Sequence, residues 1–199
     1  MYKITYHLRS FVKEPEPYIH YLECQIRTIT FKLICKLFRK RIIWGKNLKI
    51  QGWLSVRGPG TVVIGDNVTI GMTVTPWTYS DHAIIRIGNN VFLNGARFAC
   101  KKKIDIGDDC IIGECRVMDT NFHSTDINRH HPDANVKTEA VEIADNVWIA
   151  PDCQILPGAK IGENSVIGIN SVVTGEIPSN VMAAGHPAVV KKHLDESCK

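Results

Sequence analysis

His123 is the residue of this 199-residue chain with the clearest chemical potential. A neutral imidazole titrates near the working pH and can take a proton from a hydroxyl while a new bond forms. It lies in VMDTNFHSTD, residues 117–126, where a regular pattern stops and the polar stretch INRHHPDANVKTEA begins. Asp119, Asp126 or a backbone carbonyl could hold its second ring nitrogen. His130 and His131 are adjacent and do not complete a three-ligand set with His123, so no metal is expected. Arg97 and Arg116 are 19 residues apart and could stack on one face. An anionic acceptor would explain that pair, and so would two solvated arginines at distorted corners. Neither a phosphate-cradling glycine loop nor a pair of glycosidase carboxylates is present.

These residues sit within a repeat. Apolar residues recur every sixth place at Ile87, Leu93 and Ala99, and after one extra residue at Ile106, Ile112 and Met118. The rhythm resumes at Ile143, Ile149, Ile155, Ile161, Ile167 and Val173, with a weaker run at Ile50, Val56, Ile64 and Ile70. A period of six suits neither an amphipathic helix nor one long alternating strand. It suits short strands with a corner every six residues, each corner following an inward apolar residue. Small residues such as Gly65, Gly88, Gly107 and Gly162 follow the apolar position, with Asn or Asp beyond them (IGDN, IGNN, IGDD). Corners need positive φ or close backbone approach, which these residues permit. Three sides make one coil, and coils stack at roughly 4.8 Å, the spacing of paired strands. The spacing therefore predicts an all-β protein, a triangular parallel β-helix with an internal Ile/Val ladder. The insertions at 74–83 and after His123 leave the body at corners, where solenoids carry function.

The net charge of +4 is unevenly spread: eight basic residues and no acidic one lie between Arg27 and Lys49, leaving the remainder at −4. The seven cysteines are odd in number and lack a CxxC pair, which points to reduced thiols in a cytoplasmic protein. No apolar run approaches a spanning helix, and MYKITYHLRSFVKEPEP has no signal-peptide core. The basic window lacks a nucleic-acid module around it, so nucleic acid is not an expected partner.

The segment DNVWIAPDCQILPGAKIGENSVIGINSVVTGEIPSNVMAAGHPAVVKK resembles the C-terminal signature of hexapeptide-repeat acyltransferases, and DTNFHSTD resembles their catalytic-histidine segment. The resemblance covers residues 46–192 and is nearest to maltose and galactoside acetyltransferases and bacterial polysaccharide O-acetyltransferases. It implies a left-handed β-helix, a homotrimer, and acetyl-CoA held in a cleft between neighbouring subunits. It further implies His123 as general base, Asn94 as a ligand of the acceptor hydroxyl, and Asp119 beside the acceptor. Trp148, Ala150 and Gly168 would line the CoA cleft, with the Ala150 N–H as oxyanion donor because Pro151 has none. Lys191 and Lys192 would meet the CoA phosphates. Departures from the family pattern are Ala150 for glycine, His186 within GHPA for asparagine, and Arg97, Lys103 and Arg116 at places usually held by small residues.

The implied activity is acetyl transfer from acetyl-CoA to a hydroxyl of a surface polysaccharide or its precursor. Acetylation of an antibiotic on the same scaffold is the enzyme alternative, and a non-catalytic solenoid is the alternative of another class. Residues 1–44 are expected to be an amphipathic helical segment, 45–185 the solenoid with an inserted loop at 124–141, and 186–199 a tail. In the helix, Ile19, Leu22, Ile26, Ile29, Leu33 and Leu37 share one face, widened by Phe31, Ile34 and Phe38. Over residues 17–44 this segment could cap the open solenoid or lie on an anionic membrane at the inner face of the cytoplasmic membrane.

Overall fold

A computed structural model describes residues 16–195. Among these residues one helix, Glu16–Leu37, precedes a left-handed parallel β-helix whose three sheets are the sides of a triangular prism. Sheet I contains Ile42–Trp44, Thr61–Ile64, Ile84–Ile87, Lys103–Ile106, Val141–Ile143, Lys160–Ile161 and Glu176–Ile177. Sheet II contains Lys49–Ile50, Thr69–Ile70, Phe92–Leu93, Ile111–Ile112, Trp148–Ile149, Val166–Ile167 and Val181–Gly185, closed by Ala188–His193. Sheet III contains Thr75–Thr78, Arg97–Cys100, Arg116–Met118, Gln154–Ile155 and Val172–Val173. All pairs are parallel except the last of sheet II, where Val181–Gly185 and Ala188–His193 form a hairpin around the cis His186–Pro187 bond. The first solenoid strand therefore begins at Ile42, and residues 188–193 extend sheet II.

The ladder follows from the six-residue rhythm. Ile143 pairs with Ile161, Ile149 with Ile167, and Ile155 with Val173, each in the next coil. These side chains are buried in one continuous core. Two expected inward positions are corrected: Ala99 and Met118 lie on the outer face of sheet III, while Phe98, Cys100 and Val117 point inward. In these coils the third side begins one residue early, and alternation along a strand then turns every side chain to the opposite face.

The corners separate two tasks that the sequence merges. Asn47, Asn67, Asn90, Asp109, Asn146, Asn164 and Asn180 all have positive φ between sheets I and II. Their side chains form ladders, Asn47 Nδ2 to Asn67 Oδ1, Asn67 to Asn90 and Asn90 to Asp109, each at 2.9 Å. The glycine before them is needed for close approach instead. A Cβ on Gly88 would lie 2.5 Å from the backbone carbonyl of Gly107 in the next coil.

The helix closes the open first coil. Thr28 Oγ1 accepts the Ile50 N–H at 3.0 Å and donates to the Cys24 carbonyl at 2.8 Å, so a backbone donor at the solenoid end is satisfied. Phe31 packs edge-on against Trp44 at 6.3 Å, and Arg27 donates to the Gln51 carbonyl. The docking face is Cys24, Thr28, Phe31 and Cys35. The aliphatic stripe for which the sequence left both capping and membrane contact open, Ile19 through Leu37, is turned outward with its side chains 45–76% exposed. Small residues permit close approach to the first coil, and only Thr28 offers the acceptor that Ile50 requires. Among the described residues, no helix is long and apolar enough to cross a membrane.

Candidate active site

Both insertions leave the prism at one edge, between sheets III and I. The first, after Thr75–Thr78, carries Tyr79; the second, after Arg116–Met118, carries Phe122 and His123. Tyr79 stacks on Trp77 at 5.0 Å and takes the edge of Phe122 at 4.6 Å, so two coils grip the segment holding His123. Phe122 has φ of 60°, and the His123 N–H donates to the Asn121 carbonyl at 2.7 Å, turning the chain sharply at this point. The neck of the long loop is stapled. Asn121 N–H donates to the Lys137 carbonyl at 3.0 Å, Glu139 N–H to the Asp119 carbonyl at 2.9 Å, and Thr138 Oγ1 to Thr120 Oγ1 at 3.0 Å. His123 itself is exposed, and its imidazole has no hydrogen-bond partner among the described residues of the chain. Trp77, Tyr79 and Phe122 escaped sequence reasoning as a group because the contact of Tyr79 with Phe122 joins residues 43 positions apart.

Asp119 has a different position from that expected. It is fully buried, and its carboxylate accepts the N–H groups of Lys101 at 2.7 Å, Lys102 at 2.6 Å and Lys103 at 2.7 Å. Cys100 Sγ donates to it as well, at 3.4 Å. Those bonds occupy both oxygens in holding the intervening coil's corner, so the side chain orients neither His123 nor a ligand. Asp126 is exposed and makes no hydrogen bond to the imidazole. Burial pushes the neighbouring core thiols up: Cys110 to about 11 and Cys115 to about 12. They are neutral packing groups, not nucleophiles. Cys24, Cys35, Cys100 and Cys153 are likewise buried and unpaired, while Cys198 lies outside the described residues.

The other expected site residues gather on a different edge, between sheets II and III. Asn94, Gly113, Ala150 and Gly168 succeed one another there, linked by ladder bonds of 2.8–2.9 Å from each N–H to the carbonyl of the next coil. The Asn94 amide turns back over Gly71, where a Cβ would lie 2.8 Å from its Oδ1. The oxyanion assignment is corrected here. The Ala150 N–H already donates to the Ile167 carbonyl at 2.9 Å, and the Gly168 N–H to the Ala183 carbonyl at 2.8 Å. The Ile169 N–H, directly after Gly168, has no acceptor among the described residues. Trp148 stands on the outer face of sheet II, 49% exposed, three strand spacings (about 14 Å) from the strand of Lys191 and Lys192. Both lysines are exposed. No group of three or more His, Cys, Asp or Glu suited to a metal ion occurs among the described residues.

Residues 140–175 match the bacterial transferase hexapeptide family (six repeats). No curated protein matches the chain. Among solved structures, it is similar to a mutant of AntD, an N-acyltransferase from Bacillus cereus in complex with dTDP and coenzyme A. The identity is 21%, over 81% of this chain and 88% of that one, with a TM-score of 0.65. Galactoside acetyltransferase in complex with coenzyme A is 24% identical over 81% of this chain and 70% of its own, with a TM-score of 0.56. The polySia-specific acetyltransferase NeuO is 23% identical over 79% and 84%, also with a TM-score of 0.56. These likenesses establish the fold: the chain is a hexapeptide-repeat β-helix, as the residues from 46 to 192 suggest.

Proposed function

We propose that the protein is an acetyl-CoA-dependent O-acetyltransferase acting on a sugar hydroxyl of a bacterial surface polysaccharide or its precursor. The observation that carries this reading is the placement of His123, exposed and unpartnered at the edge where both insertions converge and clamped through Phe122. Its imidazole takes the proton of the acceptor hydroxyl as that oxygen attacks the thioester carbonyl. The carbon–sulfur bond then breaks, and the departing thiolate recovers the proton from the imidazolium. The Ile169 N–H is a free backbone donor on the opposite edge suited to the developing oxyanion. Trp148 offers a wall for the CoA arm along sheet II, with Lys191 and Lys192 three strands further along to meet its phosphates.

His123 and the set of Asn94, Ala150 and Gly168 occupy two edges separated by the width of sheet III. A homotrimer with parallel solenoid axes would bring one edge of each protomer against the other edge of its neighbour and assemble a complete cleft. A cytoplasmic setting accords with the buried unpaired cysteines. The outward aliphatic stripe of the helix, with the exposed Lys36 in its last turn and Arg39 just beyond, suits peripheral contact with the anionic inner membrane face. The test of the central claim is His123→Ala. Turnover, followed as free thiol released from acetyl-CoA with a sugar acceptor, should fall about 10²–10⁴-fold while folding and CoA binding persist. Retention of half the wild-type kcat would remove the histidine from the mechanism.

A further inference from the structure

The outer face of sheet III carries a feature that acetyl transfer alone does not require. Arg116 and Arg97 are cross-strand partners in register, and Arg97 in turn faces Thr75. In the parallel column, Arg57 bridges to Trp77, Trp77 pairs with Ala99, and Ala99 with Met118. The small Ala99 between Trp77 and Met118 leaves a hollow of about 390 Å³. Arg57, Arg97 and Arg116 all border it, and no carboxylate does. Like charges directly opposite on adjacent strands destabilise a sheet. Here none of the three guanidinium groups has an ion-pair partner among the described residues. Glu114 and Asp152 stand on the far flank of Arg97 and Arg116 and pair with neither.

Arg57 lies over the Trp77 ring at 5.4 Å, with its Nε donating to Ser55 Oγ at 3.3 Å, which fixes the plane while leaving the terminal N–H groups available. The stack continues through Tyr79 to Phe122, the residue beside His123. One wall thus runs from the arginines to the base. Its exposed aromatic edges, the positive rim of each ring, suit the oxygens of a sugar, because the ring faces are already covered by their neighbours.

We propose that this hollow is the acceptor subsite for an anionic sugar. Arg97 and Arg116 bind its carboxylate or phosphate, Arg57 closes the rim, and Trp77 and Tyr79 contact the ring. Paired planar guanidinium groups suit either anion in bidentate geometry. The inference rests on the sugar-acetyltransferase reading and names its substrate class. A free uronic acid and a sugar nucleotide share the required charge, and the experiment separates them.

Calorimetric titration of the full chain with glucuronic acid, a UDP-hexose, glucose and CoA, at low and high salt, tests the proposal. At least one of the two anionic sugars should bind with salt-sensitive affinity at least about tenfold above glucose. Arg97→Gln/Arg116→Gln should weaken that binding by about 10- to 100-fold, the loss expected for a charge-assisted hydrogen bond, without weakening CoA binding. The Lys pair at the same places should recover part of it. Equal binding of glucose and both anions, or unchanged anion affinity in the double variant, would overturn the proposal. So would a weakening of CoA binding alone, which would make the hollow part of the cofactor site. A changed oligomeric state of the double variant in light scattering would also overturn it, because the arginines would then pair across protomers. Arginine-dependent anion binding without any acetyl transfer to the bound sugar would leave the hollow standing and remove the transferase reading.

Discussion

Replacing Asp119 distinguishes a ligand-binding carboxylate from one that holds the framework together. Oδ1 accepts the Lys101 N–H, and Oδ2 accepts those of Lys102 and Lys103, all within 2.6–2.7 Å. A hydrogen bond to a charged group contributes about 1.5–3 kcal/mol. Lys101 and Lys102 are exposed, so water can partly replace the carboxylate, which favours the lower end of that range. Asp119→Ala should therefore cost about 3–5 kcal/mol, a large share of the roughly 5–15 kcal/mol that holds a typical domain together. Asp119→Asn keeps one acceptor but turns an NH₂ toward a backbone donor, and should cost about 2–3 kcal/mol. Urea unfolding monitored by circular dichroism at fixed protomer concentration reads both, since any assembly makes stability concentration-dependent. Native Cys100, whose Sγ shares the carboxylate, should also react faster with a thiol reagent in the Asn variant. A change below about 0.5 kcal/mol in Asp119→Asn, together with a raised KM for the acceptor, would refute the framework role and return the residue to the binding site.

Activity should survive prolonged dialysis against a strong chelator, and loss reversed specifically by zinc would contradict a metal-free reaction. Alkaline pH should weaken the fold through Cys110 and Cys115. Burial raises their folded pKa to about 11 and about 12, against about 9 in the unfolded chain. Their contribution is complete below pH 9 and declines above it, because the unfolded chain releases protons that the folded one retains. From pH 9 to 10.5 each should remove about 1.5 kcal/mol, and Cys110→Ala should flatten the slope in urea titrations at successive pH values. The full chain should co-sediment with anionic vesicles at low salt, leave them at high salt and barely bind neutral ones. Leu22→Glu/Ile29→Glu/Leu33→Glu, on the outward stripe, should abolish the interaction without loosening the Thr28 cap. Equal sedimentation of the variant would leave capping as the helix's sole role.

The six-residue rhythm by itself determined the solenoid, because stacking 18-residue coils is what brings Ile143 onto Ile161, Ile149 onto Ile167 and Ile155 onto Val173. It also located the break at His123. The sequence could not specify which neighbouring residue faces inward where a side is one residue short, and so it misplaced Ala99 and Met118. Nor could it choose between two helix faces: the stripe with stronger aliphatic periodicity faces outward, while cysteines and Thr28 meet the coil. Only the tertiary structure decided what the polar groups do. Asp119 is taken up by three N–H groups some 17 residues away, and the Ala150 N–H by a carbonyl in the next coil. Trp77, Tyr79 and Phe122 become one wall because separate coils emerge at the same edge. Local periodicity encodes the repeat, since every coil meets the same packing demand. Hydrogen-bond partners and aromatic stacks depend on which coils lie side by side, and the insertions set that by altering how many residues each coil consumes.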